Sequence, residues 1–234
     1  MTDTAIILAG GFGTRLRSRV ADLPKPMAPI AGRPFLAYLL DRLQEFAYSR
    51  VILSVGYRAD AIEDCFGNHY GDLELIYSQE DEPLGTGGAI LRAIKHCDDA
   101  SAMVLNGDTF LELDYRRFSD FHQQSGGPMS LTLRQVPDSG RYGRVVIENG
   151  RVVDFREKGA TGTGWINAGV YLLRRDIFDG LSLPEKFSFE LNFLMRYCPL
   201  IRPQAFCTDD YMIDIGIPED FDRAQTELPQ RALR

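Results

Sequence analysis

The stretch Ala5-Ile6-Ile7-Leu8-Ala9-Gly10-Gly11-Phe12-Gly13-Thr14-Arg15-Leu16 decides the reading of the fold. Its first five residues are uniformly apolar, which suits a strand covered on both faces, and Gly10-Gly11 ends that strand in a turn. Open α/β sheets bind ligands at the carboxyl ends of their strands, where this turn falls. Glycines there let backbone N–H groups approach phosphate oxygens without a Cβ in the way. A tight turn from strand to helix uses the same residues, so the glycines alone leave both readings open. No G-x-x-x-x-G-K-[ST] runs through the stretch, which excludes a Walker loop. It also fails as a dinucleotide fingerprint. Leu16 stands where the third glycine belongs, and the second strand ends in Gly56-Tyr57 rather than an acid, against an NAD(P)-dependent oxidoreductase.

Outward from this turn, Phe35, Leu36, Leu39, Leu40, Leu43 and Phe46 recur at helical spacing and predict a helix over 34–47, with Pro34 suited to its first turn. Strands are predicted over 51–55, 73–77 and 102–105, with helices over 59–66 and 86–96 between them. This alternation, with connections long enough for crossovers, predicts an α/β fold of Rossmann-like, doubly wound type: a mostly parallel (mixed) sheet flanked by helices. After Phe121 the texture changes to strands over 129–136, 144–147, 152–155 and 166–173, separated by Gly, Asp and Asn turns. Helices are predicted again over 188–197 and 218–228. No Pro/Ser-rich linker, charge run or repeat divides the chain. One compact domain over 1–234 is expected, its second half adding an insert and a return to the sheet.

Composition narrows the function classes. With 44% hydrophobic and 25% charged residues the chain is globular, and 234 residues can bury a core without disulfides or metals. Twenty-six Lys and Arg against 33 Asp and Glu leave a net charge of −7, which argues against tracking a nucleic-acid backbone. A small anionic substrate then needs locally placed cations or a metal. Cys65, Cys97, Cys198 and Cys207 form no C-x-x-C pair and read as reduced thiols. The N-terminus lacks a basic region and a signal-type apolar run, and no window suits a membrane span, so a cytoplasmic protein with no membrane partner is expected.

Several residues carry candidate chemistry. In Pro24-Lys25-Pro26-Met27 two prolines limit the conformations a cation must lose on ordering, though a solvated loop lysine reads the same way. Asp108, just past an apolar strand in Leu105-Asn106-Gly107-Asp108, is a hard ligand suited to Mg2+, or a plain turn or N-cap residue. Asp214 sits between Ile213 and Ile215, where an acid costs desolvation unless a cation offsets it. His69, His96 and His122 lack ligand spacing and read as exposed or satisfied polar residues. Trp165 either stacks on a sugar or fills the core, and core is the preferred reading.

Gly10-Gly11-x-Gly13-Thr14-Arg15-Leu16 followed by Pro24-Lys25-Pro26-Met27 resembles the signature of the sugar-1-phosphate nucleotidyltransferases. Further segments fall in that family's order: Pro83-Leu84-Gly85-Thr86-Gly87-Gly88-Ala89, Leu105-Asn106-Gly107-Asp108, Arg141-Tyr142-Gly143, Glu157-Lys158, Asn167-Ala168-Gly169, Lys186-Phe187-Ser188-Phe189-Glu190 and the run from Tyr211 to Asp220. The resemblance covers nearly the whole chain. It implies a nucleotide-diphospho-sugar transferase fold with a nucleotide-binding half to about residue 120 and a sugar-binding half beyond it. Within the family the chain most resembles members that join GTP to a heptose 1-phosphate, with mannose 1-phosphate or another sugar 1-phosphate as the alternative acceptor. A nucleotide-sugar sensing subunit without turnover is the non-enzymatic alternative, and retention of Arg15, Lys25, Asp108 and Asp214 counts against it.

The resemblance also implies roles. Arg15, Lys25 and Asp108 are expected to be catalytic, and Asp108 and Asp214 to hold Mg2+. Leu8, Ala9, Gly10, Gly11, Gly13, Thr14, Gly85, Thr86 and Asn106 join Arg15, Lys25 and Asp108 in binding the nucleotide. Glu80 stands where thymidylyl members carry a base-reading Gln. A carboxylate there matches the adjacent N1–H and N2–H2 donors of guanine and opposes the lone pair on adenine N1, which predicts GTP. Gln79 is the neighbouring alternative, and a solvated acid in Glu80-Asp81-Glu82 is the plain reading. Lys158 is implied on the sugar phosphate, with Glu157, Gly143, Asn167, Gly169 and Glu190 on the sugar. Ser188 either completes the sugar pocket with Glu190 or caps a helix, and an Asn turn and a surface Glu–Lys pair are the plain readings of the others. The expected partners are GTP and a sugar 1-phosphate. Oligomeric state is left open, a homodimer included.

Overall fold

The computed structural model describes residues 2–11, 20, 23–156, 159 and 161–232. In chain order its elements are β1 (Thr4–Leu8), β2 (Pro29–Ile30), β3 (Arg33–Pro34), α1 (Phe35–Glu45), β4 (Arg50–Val55), α2 (Ala59–Phe66), β5 (His69–Tyr70), β6 (Leu73–Gln79), α3 (Gly85–Ala93), β7 (Ser101–Asn106) and β8 (Thr109–Leu111). There follow α4 (Tyr115–Ser125), β9 (Met129–Val136), β10 (Arg144–Glu148), β11 (Arg151–Arg156), β12 (Gly164–Arg174), a π-helical stretch Phe189–Leu194 leading into α5 (Met195–Ile201), β13 (Gln204–Thr208), β14 (Met212–Asp214) and α6 (Pro218–Ala232).

One ten-stranded sheet runs β10-β11-β13-β9-β12-β7-β1-β4-β6-β5. Strands β7, β1, β4 and β6 are parallel neighbours, so their carboxyl ends share one edge. The second half enters antiparallel through β12 against β7. Beyond it β10, β11, β13, β9 and β12 pair in a closed ring, because β10 also pairs with the start of β12. Apart from the sheet, β8 and β14 pair antiparallel.

Strand alternation divides the core in two. Ala5 and Ile7 of β1, with Val51, Leu53, Met103 and Leu105, pack against α1, α4 and α6, while Ile6, Ile52, Ala102 and Val104 pack against α3 and the π-helical stretch. Both faces of β1 are buried, as its unbroken apolar run required. Trp165 is half-buried against the second cluster. Among the described residues no helix is long and apolar enough to cross a membrane. The four cysteines are free, Cys97 and Cys198 buried and Cys65 and Cys207 exposed.

Helix α4 was not expected. Its buried positions Tyr115, Phe118, Ser119 and His122 follow helical spacing, but two of the four are polar, so the stripe is invisible to a hydrophobicity count. His122 Nδ1 lies 2.8 Å from Ser130 Oγ in β9, and His69 and His96 are exposed. Burial pushes the His122 imidazole below its ordinary value. Its protonation therefore favours the unfolded chain, and the stability it contributes is present above the ordinary imidazole pKa and lost as pH falls below it. The melting temperature is expected to fall between about pH 7 and about pH 5, and to fall less steeply in His122→Gln. Thermal melts across that range check this.

Candidate active site

A cleft of about 850 Å³ opens at the carboxyl edge of β1, β4, β6 and β7 and runs toward the ring of strands. Its centre is built by a crossing of short segments. Gly107 donates its N–H to Leu8 O at 3.1 Å, which joins the ends of β1 and β7. A Cβ on Gly107 would lie 2.2 Å from that oxygen, so only glycine permits the approach. Gly107→Ala is expected to push the two strands apart, with a destabilisation of about 1–3 kcal/mol and a loss of turnover beyond what the melting temperature explains. Calorimetry and kinetics on the same preparation separate the two effects.

The pairing of β8 with β14 sets Asp214 opposite Thr109, and Ile215 N–H bonds Asp108 O at 2.9 Å. Two acids far apart in sequence thereby become neighbours. Lys25 opens a 3-10 turn at Lys25–Met27, and its ammonium reaches both. Nζ lies 2.5 Å from Asp108 Oδ2 and 3.7 Å from Asp214 Oδ1. The lysine side chain is 11% exposed, the two acids about a third. Gly216 N–H bonds Asp214 Oδ1 at 2.7 Å, and a Cβ there would meet both that oxygen and Lys25 Nζ. Two hard oxygen donors from distant segments thus face the same ammonium group. Among the described residues no third His, Cys, Asp or Glu completes a protein-only metal cage. A pair of carboxylates with open positions suits Mg2+, which keeps waters and takes substrate phosphates as further ligands.

At one end of the cleft stands Glu80. Its Oε1 accepts from Ser54 Oγ at 3.2 Å and its Oε2 from Leu84 N–H at 2.8 Å. Each oxygen keeps a lone pair, so the carboxylate is aimed but not saturated. Gln79, its sequence neighbour, is exposed and does not line the cleft. Leu8, Gly10 and Gly11 line the floor, with Gly10 beside Glu80; Ala9 is buried beneath, its N–H on Ser54 O. Gly85 and Thr86 line the cleft where α3 begins. The following glycines serve packing. Gly87 and Gly88 donate to Phe187 O, and a Cβ at Gly87 would strike the Phe187 ring.

At the other end Asn167 Nδ2 donates to Tyr171 OH at 2.7 Å and to Glu190 Oε1 at 3.3 Å, while its Oδ1 accepts from Gly169 N–H. Asn106, Gly143, Asn167 and Glu190 line the cleft, and Gly169 packs directly behind Asn106. Tyr171, Tyr142 and Ser54 are cleft residues to which no role was assigned from sequence. For Tyr171 a signal existed: a tyrosine inside an apolar strand needs a hydroxyl partner. Burial first, and the Glu190 carboxylate next, push its phenol well above the ordinary range, so it stays protonated. Ser188 is the N-cap of the π-helical stretch, accepting from Leu191 N–H. Gly13, Thr14, Arg15, Glu157 and Lys158 lie outside the described residues. Trp165 is not part of the cleft wall.

The pattern that defines the Nucleotidyl transferase family matches residues 4–231. The chain belongs to the nucleotidyl transferase family. Among characterised nucleotidyl transferases it is 45% identical over 224 residues to the D-glycero-alpha-D-manno-heptose 1-phosphate guanylyltransferase of Aneurinibacillus thermoaerophilus, covering 96% of this chain and 97% of that one. It is 36% identical over 244 residues to the mannose-1-phosphate guanylyltransferase of Mycobacterium tuberculosis, covering 98% of this chain and 67% of that one. The crystal structure of HddC from Yersinia pseudotuberculosis complexed with GMP-PN superposes with a TM-score of 0.84 at 42% identity, over 96% of this chain and 98% of that one. The mixed α/β fold with its central sheet is the nucleotidyl transferase fold.

Proposed function

We propose that this nucleotidyl transferase moves GMP from GTP to D-glycero-α-D-manno-heptose 1-phosphate in the cytoplasm, releasing pyrophosphate. The observation that carries the reading is the order of groups along one cleft: a base acceptor at Glu80, a cation and two acids at the centre, and a polar sugar-side network at Asn167, Tyr171 and Glu190. The full-length likeness to a heptose 1-phosphate guanylyltransferase supports that acceptor over mannose 1-phosphate, whose named enzyme is less similar and longer.

The nucleophile arrives as an ionised phosphate, so no side chain has to create it. A sugar-phosphate oxygen attacks the α-phosphorus in line, the new P–O bond forms, and the bond to the β-phosphate oxygen breaks with its electrons leaving on pyrophosphate. What remains for the protein is alignment and charge neutralisation. Gly10 and Gly11 leave room for phosphate oxygens beside Leu8. Lys25 supplies a fixed positive charge at the centre. Asp108 and Asp214 would hold Mg2+, which when bound neutralises phosphate charge and favours departure of pyrophosphate. Arg15, in the same glycine-rich stretch of sequence, is proposed as a second cation on the triphosphate. Glu157 and Lys158 are proposed on the acceptor side with Gly143, Asn167 and Glu190. Nothing in this chemistry calls on nucleic acid or a membrane.

Pyrophosphate release measured with each of GTP, ATP, UTP and dTTP against heptose, mannose and glucose 1-phosphates tests the assignment. Release with GTP and heptose 1-phosphate is expected. Release only with mannose 1-phosphate would replace the acceptor, and no release with any pair would leave a binding subunit.

A further inference from the structure

Beside the acids lies an ion cluster, built around one buried carboxylate, that the transfer chemistry does not use. Asp220, in the first turn of α6, has a side chain only 9% exposed, and two guanidinium groups reach it. Arg223 Nη1, one turn along the same helix, bonds Oδ1 at 2.8 Å; Arg141 Nη2, from the loop between β9 and β10, bonds Oδ2 at 2.7 Å. Arg223 is shared, since its Nε and Nη2 also bind Glu227. A carboxylate this buried is costly unless its oxygens are paired, so one oxygen of Asp220 depends on a residue from across the fold.

What Arg141 holds is the sugar side of the cleft. Its guanidinium lies 5.2 Å from the centre of the Tyr142 ring, and Tyr142 and Gly143 both line the cleft. The same loop is tied to the next one: Gly159 N–H bonds Gly140 O at 3.1 Å, Ser139 N–H bonds Gly162 O at 3.0 Å, and Arg144 Nη2 bonds Thr161 O at 3.0 Å. At the other end, α6 begins just after β14, which carries Asp214. Arg141 and Tyr142 both lie in the field of the Asp214 carboxylate.

We propose that Asp220 and Arg141 are positioning residues: their ion pair fixes the Tyr142–Gly143 wall to the acid-bearing segment, so that a sugar 1-phosphate lying on that wall is held in line with the α-phosphorus. This rests on the acceptor-side reading given above. Helix α6, which supplies no group to the reacting atoms, becomes part of acceptor recognition.

Arg141→Ala, Arg141→Lys, Asp220→Asn and the double variant Arg141→Ala/Asp220→Asn test the pair. Arg141 is half exposed, so its truncation is the variant expected to keep the fold if Asp220→Asn does not. In Arg141→Ala the KM for heptose 1-phosphate is expected to rise about tenfold or more while the KM for GTP stays within about twofold; Arg141→Lys should recover part of the loss, and the double variant should be no worse than the worse single one. Equal rises in both KM values, additive losses, or an unchanged acceptor KM would overturn the proposal. Hydrogen exchange on the substrate-free protein reads the same pair without turnover. Faster exchange at the Ser139, Tyr142, Gly159 and Gly162 amides in Arg141→Ala is expected, and unchanged exchange there would overturn it. Wild-type inactivity toward every sugar 1-phosphate, with that faster exchange present, would count against the acceptor reading and leave the ion pair standing.

Discussion

Asp108→Asn is expected to lower kcat by at least about a thousandfold with little change in melting temperature, because an isosteric amide keeps the local shape and removes the charge that a divalent cation needs. The geometry gives the reason. Asp108 Oδ2 and Asp214 Oδ1 both approach the Lys25 ammonium, at 2.5 and 3.7 Å, which places the two acids side by side. With one acid gone, a single carboxylate must hold the cation against water, and the triphosphate loses a fixed anchor. Asp214→Asn should behave alike, and the double variant should be scarcely worse than either single one, since groups acting on one cation do not contribute independently. Rapid-quench measurement of single turnovers checks the chemical step, and calorimetry checks the fold. A loss of less than about tenfold in both single variants would remove the two acids from the catalytic step.

Glu80→Gln has the second large effect, on which nucleotide is used. In the parent protein Ser54 Oγ and Leu84 N–H hold the carboxylate at the cleft wall, each oxygen with accepting capacity to spare. Guanine offers N1–H and N2–H2 to such a pair. A glutamine replaces one acceptor with an NH2 donor, which meets a guanine donor head-on. The kcat/KM for GTP is expected to fall about a hundredfold or more, because a buried donor is left unpaired. Thymine, with an N3–H donor beside a carbonyl, pairs with an amide, so dTTP should gain relative to GTP. Competition between GTP, ATP and dTTP in one vessel reads the ratio directly. An unchanged preference for GTP would take Glu80 out of base recognition and turn attention to backbone groups near Leu8 and Gly10.

The first half of the fold was legible because its elements are long and their burial is simple. The apolar run in β1 and the helical stripe in α1 each state their burial in the residues themselves. Helix α2 spans Ala59–Phe66, the range that periodicity marks. Elements stabilised from outside were not legible. β8 and β14 have three residues each, too few for a pattern, yet their pairing alone brings Asp108 to Asp214. The ring of strands closes through β13, whose five residues were not read as a strand, and through a register that no local signal encodes. At the site, glycine had two meanings that sequence does not separate. Gly10 and Gly11 line the cleft, whereas Gly87 gives way to the Phe187 ring and Gly88 to the Glu185 carbonyl and the Leu84 side chain. The role of Asp220 was hidden for the same reason: in sequence it is an acid in the first turn of a helix, which suits any helix, and its partner Arg141 lies 79 residues away.

Stereochemistry at the α-phosphorus separates direct transfer from transfer through the enzyme. Turnover of GTP made chiral at that phosphorus, with heptose 1-phosphate as acceptor, is expected to give inverted product, since the sugar phosphate itself attacks and the protein supplies only placement and charge. Retention would mean two successive displacements through a guanylyl-enzyme, with Lys25 as the first residue to examine, and would contradict a site built to align rather than to attack.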